Sequence, residues 1–158
     1  MSYKTVQGVD GTLKVIDNVT GNGVVNYPPE IVTATNVITA EESGKTFFLN
    51  SATEFVSTLP APSSGLRYTF VVKAAPSGAS YTIVTTSSAN IIKGMVVTSG
   101  VNSTTNPDSE TTGGDTISFV DGVAVAGDKV EVICDGTYWY AYGTCIAYNA
   151  ITITTAST

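Results

Sequence analysis

The sequence predicts an all-β protein: a β-sandwich or jelly-roll-like domain of short antiparallel strands, preceded by an extended N-terminal arm. Three observations carry that expectation. Val, Ile and Thr supply 56 of the 158 residues and Leu only four, and branching at Cβ favours the pleated strand over the helix. Apolar and polar residues alternate over short runs, and no window keeps the apolar period of a helix. Near the C-terminus, GDKVEVICDGTYWYAYG from Gly127 to Gly143 places an Asp135-Gly136 turn signal between two such runs, the pattern of a β-hairpin.

Residues 1–30 read as the arm and 31–158 as the β domain. The arm scatters Val6, Val9, Leu13, Val15, Ile16, Val24 and Val25 among Gly, Asn and Asp and closes on Tyr27 and Pro28-Pro29. The proline pair is incompatible with helix and makes a boundary, while the apolar content exceeds that of a solvated tail. The arm therefore packs on something, either as an edge strand of its own domain or on a neighbour.

From Ile31 the strand signals come in close succession: Ile31 to Thr39, Thr46 to Leu49, Glu54 to Thr58, Arg67 to Ala74, Ser80 to Thr86, Met95 to Thr98, Thr116 to Val120, Lys129 to Cys134, Tyr138 to Tyr142, Cys145 to Tyr148 and Ile151 to Thr155. Gly, Pro and Ser breaks separate them. In Arg67 to Lys73 the period of two puts Tyr68, Phe70 and Val72 on one face, the candidate core face. In the last hairpin Trp139 opposes Tyr138, Tyr140 and Tyr142, so this aromatic face belongs to the core or to a subunit contact. Val130, Val132 and Cys134 oppose Lys129, Glu131 and Ile133, and alternation leaves open which set meets the tryptophan. Thr98 to Gly114, polar and nearly free of apolar anchors, reads as an exposed surface loop. A turn at Asp135-Gly136 separates Cys134 from Cys145 by about 20 Å along the strand, too far for a disulfide, and two small buried thiols are expected.

Composition narrows the chemistry. With no histidine in the chain, Ser-His and Cys-His nucleophile systems are excluded, and the commonest metal ligand is missing. Asp121, Asp128 and Asp135 stand beside glycines at turns, where Asp serves local backbone hydrogen bonding. Asp108, Glu110 and Asp115 share a stretch without EF-hand spacing. No residue is assigned a catalytic or metal-binding role, no cofactor is expected, and the protein reads as no enzyme. A formal charge of −6 and a pI near 4.3 repel phosphate backbones, which argues against nucleic acid. No run of apolar residues is long enough for a membrane span, and the N-terminus lacks a secretory apolar core, so synthesis in a cytoplasm and no membrane partner are expected.

Two segments together, LPAPSSGLRYTFVV from Leu59 to Val72 and the Gly127 to Gly143 hairpin, resemble structural proteins of tailed bacteriophages, in particular head decoration or cement proteins. The resemblance covers about residues 41 to 143 and leaves the arm unmatched. It implies a homotrimer on the outer capsid surface of a virion, bound to the major capsid protein. On that reading Val6, Leu13, Val15, Ile16, Val24, Val25 and Tyr27 are candidate capsid or subunit contacts. Tyr138, Trp139, Tyr140 and Tyr142 are candidate core or subunit contacts. The alternative is a receptor- or glycan-binding domain of a tail fibre, and a third reading is a hydrolase with two acidic residues.

Overall fold

The computed structural model describes residues 4–7, 13–16, 28–99 and 109–155. Strands dominate the described residues and helix occurs there only as two short 3₁₀ turns, so the all-β expectation holds. In chain order the strands are β1 (Lys4–Gln7), β2 (Leu13–Ile16), β3 (Glu30–Val32), β4 (Asn36–Val37), β5 (Thr46–Leu49), β6 (Phe55–Thr58), β7 (Arg67–Val72), β8 (Tyr81–Val84), β9 (Ile92–Thr98), β10 (Ser109–Gly114), β11 (Thr116–Phe119), β12 (Lys129–Cys134), β13 (Trp139–Cys145) and β14 (Ile151–Thr154). Two mixed sheets enclose the core. The larger runs β10-β9-β13-β12-β7-β5-β3 and the smaller β14-β11-β8-β6-β4.

The strands are not simply antiparallel, which corrects the sequence reading. From β3 to β8 the chain alternates between the sheets, so that β3, β5 and β7 lie parallel in one and β4, β6 and β8 parallel in the other. Parallel neighbours need a crossover, and here each strand of the opposite sheet serves as the crossover. The connections in this region span the sandwich instead of reversing within a sheet. Where the chain offers a tight Asp-Gly turn, at residues 135–136, the antiparallel β12–β13 hairpin forms as expected, with Cys134 opposite Trp139.

Two further boundaries differ from expectation. Ser109–Gly114 is a strand, antiparallel to β9 with a bulge between Thr111 and Gly114, although its side chains carry no apolar pattern. Backbone pairing at a sheet edge does not require one. Asp115 alone separates β10 from β11, and there the chain passes from the large sheet to the small one, with the Asp115 N–H donating to the Thr154 carbonyl (2.9 Å). Bulges at such corners let a strand change sheets. Cys145 ends β13 and opens no strand of its own; the chain reverses behind it through Asn149, at φ +58°.

The core lies between the inward faces. Tyr68, Phe70 and Val72 of β7, Val130, Val132 and Cys134 of β12, and Trp139 and Ala141 of β13 are all buried, so the Val130 set is the one that meets the tryptophan. Trp139 lies 5.8 Å from Tyr68, and Phe47 stacks on Phe70 at 5.4 Å. The small sheet contributes Phe55 stacked on Tyr81 at 4.5 Å, with Ile83, Ile117, Phe119 and Ile151. Each such side chain contributes about 1.5–3 kcal/mol of burial. The phenol groups that enter the core satisfy backbone carbonyls: Tyr68 donates to Thr39 and Tyr81 to Ser51. Cys134 and Cys145 are buried free thiols.

β1 and β2 pair antiparallel as a two-stranded sheet of their own, Lys4 opposite Ile16, and extend neither larger sheet. Val6, Leu13, Val15 and Ile16 stand on these two strands. Val24, Val25 and Tyr27 lie outside the described residues, as does the stretch 100–108 of the expected polar loop. Glu30, placed at the end of the arm by sequence, is the first residue of β3.

Candidate interaction surface

The outward face of the large sheet is built by the same alternation that builds the core. Because Ile92, Val96, Trp139, Ala141, Val130 and Val132 point inward, Lys93, Met95 and Val97 of β9, Tyr140, Tyr142 and Thr144 of β13, and Lys129, Glu131 and Ile133 of β12 point outward. The parallel register of β9 and β13 sets Lys93 beside Tyr140, Met95 beside Tyr142 and Val97 beside Thr144. The antiparallel register of β12 continues these rows with Ile133, Glu131 and Lys129, and β7 adds Arg67, Thr69 and Val71.

Close approach of β9 to β13 depends on glycine. Gly94 has φ +152°, and a Cβ there would lie 1.9 Å from the Ala141 carbonyl oxygen. A Cβ at Gly143 would press on Val96 and Val130 at 3.0 and 3.1 Å. Both positions let backbone and inward side chains meet where any larger residue would hold them apart.

The turn that leads into β13 is fixed by Asp135. Its Oδ1 accepts the N–H groups of Thr137 (2.7 Å) and Tyr138 (2.8 Å), and Gly136 takes φ +106°. The Tyr138 and Thr137 N–H bonds hold the Asp135 carboxyl below its ordinary range, with a smaller contribution from Tyr140. Tyr140 donates its hydroxyl to Asp135 Oδ2 at 3.0 Å, and that bond holds its phenol above the ordinary value. Lys93 Nζ sits 3.5 Å from the centre of the Tyr138 ring, a cation–π contact. Two tyrosines are thus locally engaged, and Tyr142 remains 53% exposed.

Sequence reasoning separated Trp139 from the three tyrosines, and the structure sends the indole inward and the phenols outward. It did not find Lys93, Met95, Val97 or Ile146. A signal was present: in IKGMVVT the alternation already sets Lys93, Met95 and Val97 on one side. Their juxtaposition with Tyr140 and Tyr142 comes from the β9–β13 pairing, which joins residues far apart in sequence. Ile146 follows β13 on the outward side, 58% exposed, and its N–H donates to Asp128 Oδ1 (2.9 Å). The other oxygen of this buried carboxylate accepts the Val125 N–H, also at 2.9 Å. Asp128 thereby fixes two apolar loop residues at one end of the sandwich, extending the local role expected of it to a contact between loops.

Among the described residues no three His, Cys, Asp or Glu side chains gather as a metal site, and no helix is long and apolar enough to cross a membrane. The chain matches no protein-family model and no curated protein sequence.

Proposed function

We propose that this protein is a structural virion component that decorates the outer surface of a phage capsid, binding the major capsid protein and associating with itself as a homotrimer. The observation that carries an assembly role is the outward face of the large sheet, where Met95, Val97, Ile133 and Tyr142 are each more than 40% exposed on a backbone held by paired strands. Met95 lies beside Tyr142, with Val97 two residues along the same strand face, and clustered exposed apolar side chains of this kind favour contact with a partner. The capsid as the partner rests on the likeness of the Leu59 to Val72 and Gly127 to Gly143 segments to decoration proteins. In this reading the arm, whose β1 and β2 pair with each other and with neither larger sheet, supplies the capsid contact through Val6, Leu13, Val15 and Ile16. The test is cosedimentation of the purified protein with heads that lack it, followed by cryo-electron microscopy of the decorated particle. Binding lost on deletion of residues 1–27, with the β domain still folded, supports the reading; full occupancy by the truncated protein overturns the role of the arm, and absence of the intact protein from heads overturns decoration.

Exposure of Tyr142 beside the Asp135-Tyr140 pair favours a second reading, a glycan-binding domain of a tail fibre, because aromatic faces stack on sugar rings and carboxylates accept their hydroxyls. Binding of host surface glycans that Tyr142→Ala abolishes, without any binding to heads, would replace decoration with this role.

A further inference from the structure

We infer that the free edges of β3 and β4 take an extended segment of the protein that this chain decorates, added as a further strand, corner and strand, with apolar residues beside Ile31 and Val37 and basic residues flanking them. The inference rests on the decoration reading above and adds a docking surface and the chemistry of the segment it receives.

From β3 to β8 the chain winds as a flattened coil of three turns, β3–β4, β5–β6 and β7–β8, each laid parallel on the next. At one end the stack is closed, since β12 pairs with β7 and β11 with β8, both antiparallel. At the other end β3 and β4 are the last strands of their sheets, and a terminal turn without a cap leaves backbone groups for a partner. The bonds directed into each sheet show which groups these are. The Val32 carbonyl accepts the Asn50 N–H at 2.8 Å, and the Ile38 N–H donates to the Thr58 carbonyl at 2.9 Å. A strand bonds one parallel neighbour through alternate residues, so the N–H and C=O of Ile31 and of Val37 point out of the sheets. An added strand answers such an edge with donors and acceptors at the same repeat. Each edge is short, three residues in β3 and two in β4, and the exposed residues 33–35 join them. A segment that fills both edges therefore follows the same course across the ~10 Å between the sheets.

The same two residues supply apolar anchors. Ile31 is 50% exposed and Val37 70%, the latter more than any other large apolar residue described. Ile31 heads an outward row with Phe48 and Val71, both half-buried, and an incoming strand extends that row by one side chain. The opposite edges offer nothing similar: SETTGG holds no large apolar residue, and ITIT turns both isoleucines inward. Charge sets what flanks the anchors. Residues 28–58 carry Glu30, Glu41, Glu42 and Glu54 against Lys45 alone. Lys45 is engaged by Glu30 and Glu42. The exposed Glu41 stands in the turn after β4, and the exposed Glu54 leads into β6, whose Val56 N–H donates to Thr35 Oγ1 at the corner between β3 and β4. The complementary segment is therefore apolar at its pairing positions and basic beside them.

Residue-resolved hydrogen exchange of the full chain, free and bound to heads that lack it, tests this. In the free chain the Ile31 and Val37 amides are expected to exchange fast and the Ile38 amide, bonded to Thr58, slowly. On heads, exchange at Ile31 and Val37 is expected to slow at least about tenfold. Ile31→Pro/Val37→Pro removes both outward donors at positions where an edge strand accommodates proline, and is expected to raise the dissociation constant for heads at least about tenfold while circular dichroism stays native. Ile31→Thr/Val37→Thr keeps the donors and is expected to lose less. Bound chain whose Ile31 and Val37 amides exchange as in the free chain, or a folded proline variant that binds like the natural chain, overturns the inference and leaves decoration standing. Slow exchange at both amides in the dilute free chain assigns the edge to the chain's own arm, and slowing with concentration in the absence of heads assigns it to another copy; either overturns the partner segment. A chain that does not bind heads removes decoration, and the inference falls with it.

Discussion

The two sheets are alike inside and unlike outside. Both send Ile, Val and aromatic residues inward, and both are buried there to within a few per cent. Outward, the strands of the small sheet present Thr152, Ser118, Thr82 and Val56 in one row and Thr154, Thr116, Val84, Thr58 and the 70% exposed Val37 in the next. Those five strands contain no charged residue and no glycine. The large sheet carries lysine, arginine, glutamate, tyrosine and methionine outward, and glycine within its strands. Threonine on a solvent face satisfies β propensity and hydration together; the exposed Met95 and Tyr142 of the large sheet are what the proposed contact would use.

The largest expected effect breaks the large sheet at its closest approach. Gly94→Ala would drive a methyl group into the Ala141 carbonyl at 1.9 Å and force a side chain into a left-handed backbone, so a loss of at least about 4 kcal/mol is expected. Denaturant unfolding measures it. No strand of the small sheet has a counterpart, and a Gly94→Ala protein of nearly natural stability would mean that β9 and β13 do not meet as described.

Next in size is a matched pair in the core. Ile92 of the large sheet and Ile83 of the small are both fully buried, and truncating either to Ala is expected to cost about 2–5 kcal/mol. Similar losses would confirm that the sheets share one core; a loss confined to one would show that they unfold separately. Trp139 adds a sharper probe, since its indole Nε1 is buried without an acceptor among the described residues. Trp139→Phe removes that unpaired donor along with part of the ring, so it is expected to cost less than Trp139→Ala by about 2 kcal/mol or more.

What could be read in advance follows from the range of each interaction. The inward set of β7, the hairpin at Asp135-Gly136 and the division of Trp139 from its tyrosines are written in neighbouring residues, where the period of two and turn chemistry act directly. Strand direction is not. Nothing in the alternation of TFFL or FVST says whether the next strand of the same sheet is reached by reversal or by a crossover, so the parallel run from β3 to β8 was hidden. SETTGG was hidden for another reason: an edge strand held by backbone bonds need show no apolar pattern. The tyrosine row of the surface was therefore legible, and its continuation through Lys93, Met95 and Val97 was not.

A smaller effect separates the sheets by pH. Burial, and after it the carboxylates of Glu42 and Glu41, push the Tyr68 phenol up to about 12, while in the unfolded chain it ionises near 10. The folded form thus keeps the proton longer. The Tyr68 contribution is complete below pH about 10, falls as the pH rises from 10 towards 12, and levels off above that. Its hydroxyl lies at a part-buried rim against Thr39, where solvent screens charge, so a fall of about 1–2 kcal/mol is expected. Thermal melts of the natural chain and Tyr68→Phe across this range measure it, and a Phe variant with the same alkaline decline would place the sensitivity elsewhere.

The smallest effect belongs to the face that is expected to do nothing. Ser118 sits at the middle of the small sheet, between Thr152 and Thr82, with its side chain outward and partly exposed. Ser118→Glu puts a charge into a row that has none, flanked by hydroxyls that neither repel it nor require burial. On a solvated face the change is expected to stay within about 0.5 kcal/mol and to leave the sedimentation coefficient of the assembled protein unchanged. If this face were instead pressed against a neighbour, the same carboxylate would be desolvated without a partner, a penalty of several kcal/mol that would appear as dissociation. Dissociation by Ser118→Glu combined with indifference to Tyr142→Glu would reverse the assignment of the two faces, because the hydroxyl rows would then be the contact and the aromatic strip the solvent side.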